Sequence, residues 1–167
     1  AGASPMTAKS HTLTAALRST VRAHPERIAF YFRDRTWTYG ELEDRVARCA
    51  RGLHRLGLRP GDACGLVLRN CPEFVVLFFA LCRLGAVAVP VNFLEKGEKL
   101  GYIFADAGVK ACLTSKEFLR QVHEAQKKAP HLRHVFVREP VGHHPTFESL
   151  LAGEGGSFEE PALGADA

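Results

Sequence analysis

The sequence predicts an α/β fold, a mostly parallel sheet flanked by helices with an N-terminal β-hairpin. Three observations carry this. From residue 58 onward, short apolar runs alternate with helix-periodic segments through brief connections, the pattern of parallel βαβ units. Those runs are nearly continuous rather than alternating, as expected of strands covered on both faces. Upstream, "IAFYF" (28–32) and "TWTY" (36–39) are rich in aromatic and β-branched residues, and "RDR" between them predicts a tight hairpin.

Element by element, residues 11–24 carry Leu13, Ala16, Leu17 and Val21 at helical spacing. Ser10 or Thr12 is placed to cap this helix, and Pro25 stops it. "TYGE" (38–41) is a capping-box pattern: the Thr38 hydroxyl accepts from the amide three residues on, and Glu41 reaches back to the Thr38 amide. The helix it opens presents Leu42, Val46, Cys49, Ala50, Leu53 and Leu56 on one side. Its other side carries Glu43, Asp44, Arg45, Arg48 and Arg51, and Gly57 ends it in the left-handed region.

"LRPGD" (58–62) is a turn, and "ACGLVL" (63–68) a buried strand. Pro72 opens the next helix at a position where its missing N–H costs nothing. That helix, 72–84, is apolar on nearly all sides, which predicts cover on more than one face. Gly85 follows it and precedes a strand, "AVAVPV" (86–91). A glycine at a helix C-terminus turns the chain; the negative end of the helix dipole there would repel a phosphate. Then come a helix over 97–107 with Leu100, Ile103 and Phe104 inward, a strand "KACLT" (110–114), a helix over 116–128 and a strand "HVFV" (134–137). Thr146 is placed to cap a last turn, "FESLL". Residues 1–11 read as a tag or disordered start, 12–151 as the α/β unit, and the Gly-, Glu- and Pro-rich 152–167 as linker.

Composition excludes some classes. The net charge is +4, with basic residues scattered rather than clustered, which argues against nucleic acid. The most apolar run, Phe74 to Cys82, is far shorter than the roughly 20 residues a membrane span needs. The N-terminus has no apolar signal region, and the reading is cytoplasmic. Cys49, Cys64, Cys71, Cys82 and Cys112 form no C-x-x-C pair and read as small core hydrophobes in a reducing compartment.

Candidate chemistry is sparse. No G-x-G-x-x-G, G-x-x-x-x-G-K-[ST] or G-x-S-x-G occurs. His131, His134, His143 and His144 fall within 14 residues but straddle a strand and a loop without matched partners, so they read as solvated histidines rather than metal ligands. Glu41, Glu43 and Asp44 read as helix-start charges and cap partners, not a paired-carboxylate site. Arg51, Arg55 and Arg59, with His54 among them, read as a solvated helix face. No residue receives a catalytic, cofactor-binding or metal assignment.

The ordered set of motifs resembles the N-terminal portion of the adenylate-forming acyl-CoA synthetases, the AMP-binding superfamily. "WTYGEL" (37–42) is similar to the family's helix start, and "LCRLGAVAVPVN" (81–92) to its Lys/Arg-x-Gly-Ala-x-x-x-Pro-x-Asn/Asp motif. "LGLRPGDACGLVLRNCPEFVVLFFA" between them and "LGYIFADAGVKACLTS" (100–115) after them complete the likeness, over residues 12–137. Family members often carry an Arg two residues past the motif's Asn; Leu94 stands there here.

The resemblance implies a parent enzyme, fatty-acid–CoA ligase-like, that uses ATP, Mg and coenzyme A: a carboxylate attacks the α-phosphate, and the thiol then displaces AMP. It also implies that the family's Thr/Ser/Gly-rich phosphate loop, its ribose-binding acid and its catalytic lysine lie outside these 167 residues. These residues are then expected to be a scaffold that pairs with the remainder of its own polypeptide, with a bare sheet face or edge open to self-association as a homodimer. An aryl-CoA ligase or an amino-acid adenylation module is the runner-up within the family. A free-standing doubly wound nucleotide-binding module is the alternative outside it, though no Gly-rich strand-to-helix turn supports it.

Overall fold

The computed structural model describes residues 12–153 together with Phe158 and Glu160; the expectation for residues 1–11 and most of that for 152–167 lie outside them. The hairpin comes early: β1 (Ile28–Phe32) pairs antiparallel with β2 (Arg35–Thr38). The turn "RDR" holds Arg33 at φ 53°, a left-handed conformation that costs a non-glycine residue some strain.

The main sheet has four parallel strands: β3 (Ala63–Val67), β4 (Val87–Pro90), β5 (Val109–Thr114) and β6 (His134–Val137), in the spatial order β4-β3-β5-β6. The chain therefore runs outward from β3 to β4, then crosses back to β5. Helices α1 (Leu13–Ala23), α2 (Tyr39–Arg55), α3 (Pro72–Leu84) and α6 (Phe147–Ala152) contribute to the core on one face. Helices α4 (Gly97–Asp106) and α5 (Leu119–Gln126) contribute to the core on the other.

This explains the unbroken apolar strands. In β3, Cys64 and Leu66 enter the first core while Ala63 and Val67 enter the second. In β6, Phe136 enters the first, and Val135 and Val137 the second. Alternate side chains point to opposite faces, so two covered faces require apolar residues at every position. Gly65 lies on the second face, where a Cβ would meet the Phe104 ring at 2.6 Å; α4 closes on the sheet through that gap.

Local signals hold. Thr38 caps α2 with both arms of the box formed, Thr12 caps α1 by accepting from the Ala15 amide, and Thr146 caps α6. The Thr38 amide donates to Glu41 at 2.9 Å and, with Arg35 adding its charge, holds that carboxyl below the usual range. Gly85 adopts φ 70° after α3, and its carbonyl accepts from the Gly61 amide at 2.8 Å, so it links the helix end to the turn before β3.

Three expectations need correction. The buried face of α1 is Thr14 and Leu17, with Leu13 55% exposed, because α2 and α3 meet the helix one step around from the apolar stripe. The helix expected over 116–128 is a 3-10 turn, Lys116–Phe118, followed by α5; Ser115 offers it no side-chain cap. Third, β4 is only partly covered: Ala88 and Val89 pack against the two cores, but Val87 and Pro90 are exposed, since the strand lies at the edge of the sheet. Proline, which donates nothing to a ladder, suits that edge.

The cysteines behave as core residues. Cys49, Cys64, Cys71 and Cys112 are buried and Cys82 is half-buried, all as free thiols. Burial pushes the Cys64 thiol up to about 12 and that of Cys71 to about 11, so neither is a thiolate nucleophile at neutral pH.

Candidate functional site at the carboxyl edge of the sheet

In an open parallel sheet the crevice for ligands lies outside the carboxyl ends of the strands, where the order reverses. Here that point falls between β3 and β5. The Thr114 hydroxyl, fully buried, donates to the Val67 carbonyl at 3.1 Å and ties the two strand ends together.

The rim around it is built from adjoining segments. Arg69, just past β3, pairs with Glu117 at 3.1 Å. Its guanidinium lies 4.6 Å from the Phe93 ring centre and 5.6 Å from that of Phe118. The two rings stack 5.1 Å apart. Arg69 therefore spans strand ends β3, β4 and β5 with its charge on an aromatic platform. Arg138, past β6, reaches Glu73 at the start of α3 at 3.5 Å and Glu139 at 3.6 Å. Glu139 in turn accepts from the Lys116 amide at 3.1 Å. Asn92 accepts from the Leu94 amide at 3.0 Å, so the motif asparagine closes its own turn, and Leu94 stands 70% exposed.

The donor set does not suit Mg-ATP. Among the described residues of the rim, Glu73, Glu117 and Glu139 each pair with an arginine, and of their buried oxygens only Glu73 Oε2 lacks a hydrogen-bond partner. The turn into α3 carries Cys71 and Pro72, and the turn after β5 gives its Lys116 amide to a carboxylate. Neither presents the glycine-lined amide cradle that a triphosphate needs. No chemical step is routed through this rim.

The sequence-singled residues are dispersed. Glu41 is the cap partner, as expected; Asp44 pairs with Arg48 at 2.6 Å. Glu43 has a larger role than a helix-start charge. It accepts two hydrogen bonds from Arg83, at 2.7 and 2.8 Å, and so locks α2 to α3. Arg83 is 4% exposed, and Glu160 lies 3.6 Å from its Nε. The sequence hides this pair because its members are 40 residues apart on different helices.

The expected solvated face of Arg51, Arg55 and Arg59 with His54 is only partly solvated. Arg55 donates to the Leu150 carbonyl at 3.2 Å, Arg59 donates to the His54 and Leu58 carbonyls at 2.9 Å, and the His54 ring stacks on Phe158. Of the four histidines, His131 and His143 are exposed and His134 is half-buried; the half-buried His144 ring lies 5.0 Å from that of His123. Burial, then the neighbouring His144, lowers the His123 pKa. Among the described residues no three His, Cys, Asp or Glu side chains are grouped to hold a metal ion, and no helix is long and apolar enough to cross a membrane.

The fold is an α/β layer, a four-stranded parallel sheet covered by helices on both faces. The sequence model of the AMP-binding enzymes matches residues 17–160, so the chain belongs to the AMP-binding enzyme family. It is 34% identical over 135 residues to a 4-hydroxybenzoate–CoA/benzoate–CoA ligase of Rhodopseudomonas palustris, spanning 81% of this chain and 24% of that protein. It is 36% identical over 93 residues to a crotonobetaine/carnitine–CoA ligase of Salmonella paratyphi A, spanning 56% of this chain and 18% of that one. Among solved structures it superposes on a benzoate CoA ligase of Burkholderia xenovorans with a TM-score of 0.83 and 26% identity, over 92% of this chain and 31% of that structure. The chain thus spans about a quarter or less of the curated relatives quoted.

Proposed function

We propose that this chain is the non-catalytic supporting layer of an ATP-dependent acyl-CoA ligase, which converts a carboxylate to an acyl-adenylate and then to a thioester with coenzyme A. The observation that supports the scaffold reading is the rim: its three carboxylates each pair with an arginine, and among the described residues the turns after β3 and β5 are not Gly-rich. Phosphoryl and acyl transfer require donors and a cation aimed at developing charge. The family match over residues 17–160 supports the parent activity.

A long-chain fatty acid is the first substrate class to test and an aromatic acid the second. The aryl class gains weight from the likeness to benzoate ligases at 34% and 26% identity. The test is ATP–pyrophosphate exchange over both acid classes. The purified chain alone is expected to give none, and the chain joined to the remainder of a ligase polypeptide is expected to exchange with one class. Robust exchange from the chain alone overturns the scaffold reading. Saturable ATP binding to it in calorimetry would favour a nucleotide-binding module instead.

A further inference from the structure

At the opposite, amino-terminal end of the sheet, a second concavity of about 510 Å³ is lined by Leu56, Leu58, Lys110, His131, Arg133 and His134. We propose that this pocket is a binding site for a phosphate-type anion.

The pocket is held by the frame of the fold. Its cationic side comes from Lys110, the second residue of β5, and from His131, Arg133 and His134 just before and at the start of β6, and the Arg133 amide donates to the Lys110 carbonyl at 2.9 Å. Its apolar wall is Leu56, Gly57 and Leu58, the three residues that follow α2. Leu58 there is 1% exposed and fixes the wall, with its amide bonded to the Leu53 carbonyl.

The electrostatics leave a surplus of donors. Lys110 is engaged by Asp62 at 2.6 Å, so its charge is largely matched. Arg133 has no hydrogen-bond or ion-pair partner for its side chain among the described residues, and the imidazoles of His131 and His134 have none either. Two features would oppose an anion: the Asp62 carboxylate, which Lys110 covers, and the negative dipole end of α2. The dipole end is blunted, because Arg59 donates to the His54 carbonyl in the last turn of α2 at 2.9 Å. One unmatched guanidinium, two imidazole N–H groups and the outer face of Lys110 thus converge on one hollow. A guanidinium offers a planar fork suited to phosphate oxygens, and an imidazole N–H adds a further donor.

The experiment is an amide chemical-shift titration of the whole chain with inorganic phosphate, with sodium chloride at matched ionic strength as the reference. The expected result is saturable shifts confined to residues 56–58, 110 and 131–134, absent with chloride. Arg133→Gln is exposed and unpartnered, so it should keep the melting temperature and weaken phosphate binding by about tenfold. His131→Asn should weaken it less, and Arg120→Gln, on an exposed face elsewhere, should leave it unchanged. Shifts that chloride reproduces, that spread over the other surface arginines, or that survive Arg133→Gln in a folded protein would each overturn the proposal.

Discussion

β4 and β5 are both parallel neighbours of β3, both are mostly apolar, and they have opposite fates. In β5 every residue but Lys110 is buried. In β4 none is. β5 sits between β3 and β6, with α2, α3 and α6 supplying one core and α4 and α5 the other. β4 has β3 on one side only. Apolar content licenses a strand to be covered; position in the sheet decides whether it is.

The largest expected break of this contrast is on the covered side. Phe104→Ala removes a fully buried ring that fills the space above Gly65, and should cost about 3–5 kcal/mol in urea unfolding. A loss below about 1 kcal/mol would mean that α4 does not pack on the sheet as described.

Glu43→Ala comes next. It leaves the buried Arg83 guanidinium with Glu160, 3.6 Å from its Nε, in place of its two short hydrogen bonds, and should cost about 1.5–3 kcal/mol. Adding Arg83→Met should restore part of that, since the uncompensated charge is gone. Additive losses in the double variant would show that the two residues are not coupled.

A matched pair of substitutions sharpens the comparison directly. Val109→Thr in β5 places a hydroxyl at a fully buried position and should cost about 1–3 kcal/mol. Val87→Thr in β4, at a position 49% exposed, should stay within about 0.5 kcal/mol. Equal losses would abolish the distinction between the two strands.

The smallest effect concerns pH. Burial pulls the Asp62 pKa up, but the Lys110 hydrogen bond, the Arg59 amide and both positive charges outweigh it and leave the pKa below the ordinary 3.8. The folded state therefore favours the carboxylate. Its contribution is full above the unfolded value and is lost as pH falls through the lower, folded one. Asp62→Asn should flatten the stability profile below about pH 4 and leave its shape near pH 7 unchanged. An unaltered acid limb would show that the Lys110 contact adds nothing.

Local chemistry made much of the fold legible. The Thr38–Glu41 box, Pro72 at the start of α3 and Gly85 at its end are each set by groups within four residues of one another, and all three stand as expected. The likeness to acyl-CoA synthetases rested on such local motifs. The carboxyl-edge rim was not legible. Arg69 and Glu117 are 48 residues apart, and only the return of the chain from β4 to β5 brings them together. Their one advance signal was a charged residue within three positions of the end of each of two apolar strands.

By itself, then, the sequence determined where most helices and strands lie, the 116–128 segment apart, and which runs were apolar enough to be covered, because caps, turns and periodicity act over a few residues. Only the tertiary structure decided that β4 is an edge, that α1 turns Thr14 inward in place of Leu13, and that Glu43 belongs to Arg83. Those outcomes depend on which distant elements pack together, and packing partners are set by the arrangement of the whole chain rather than by any stretch of it.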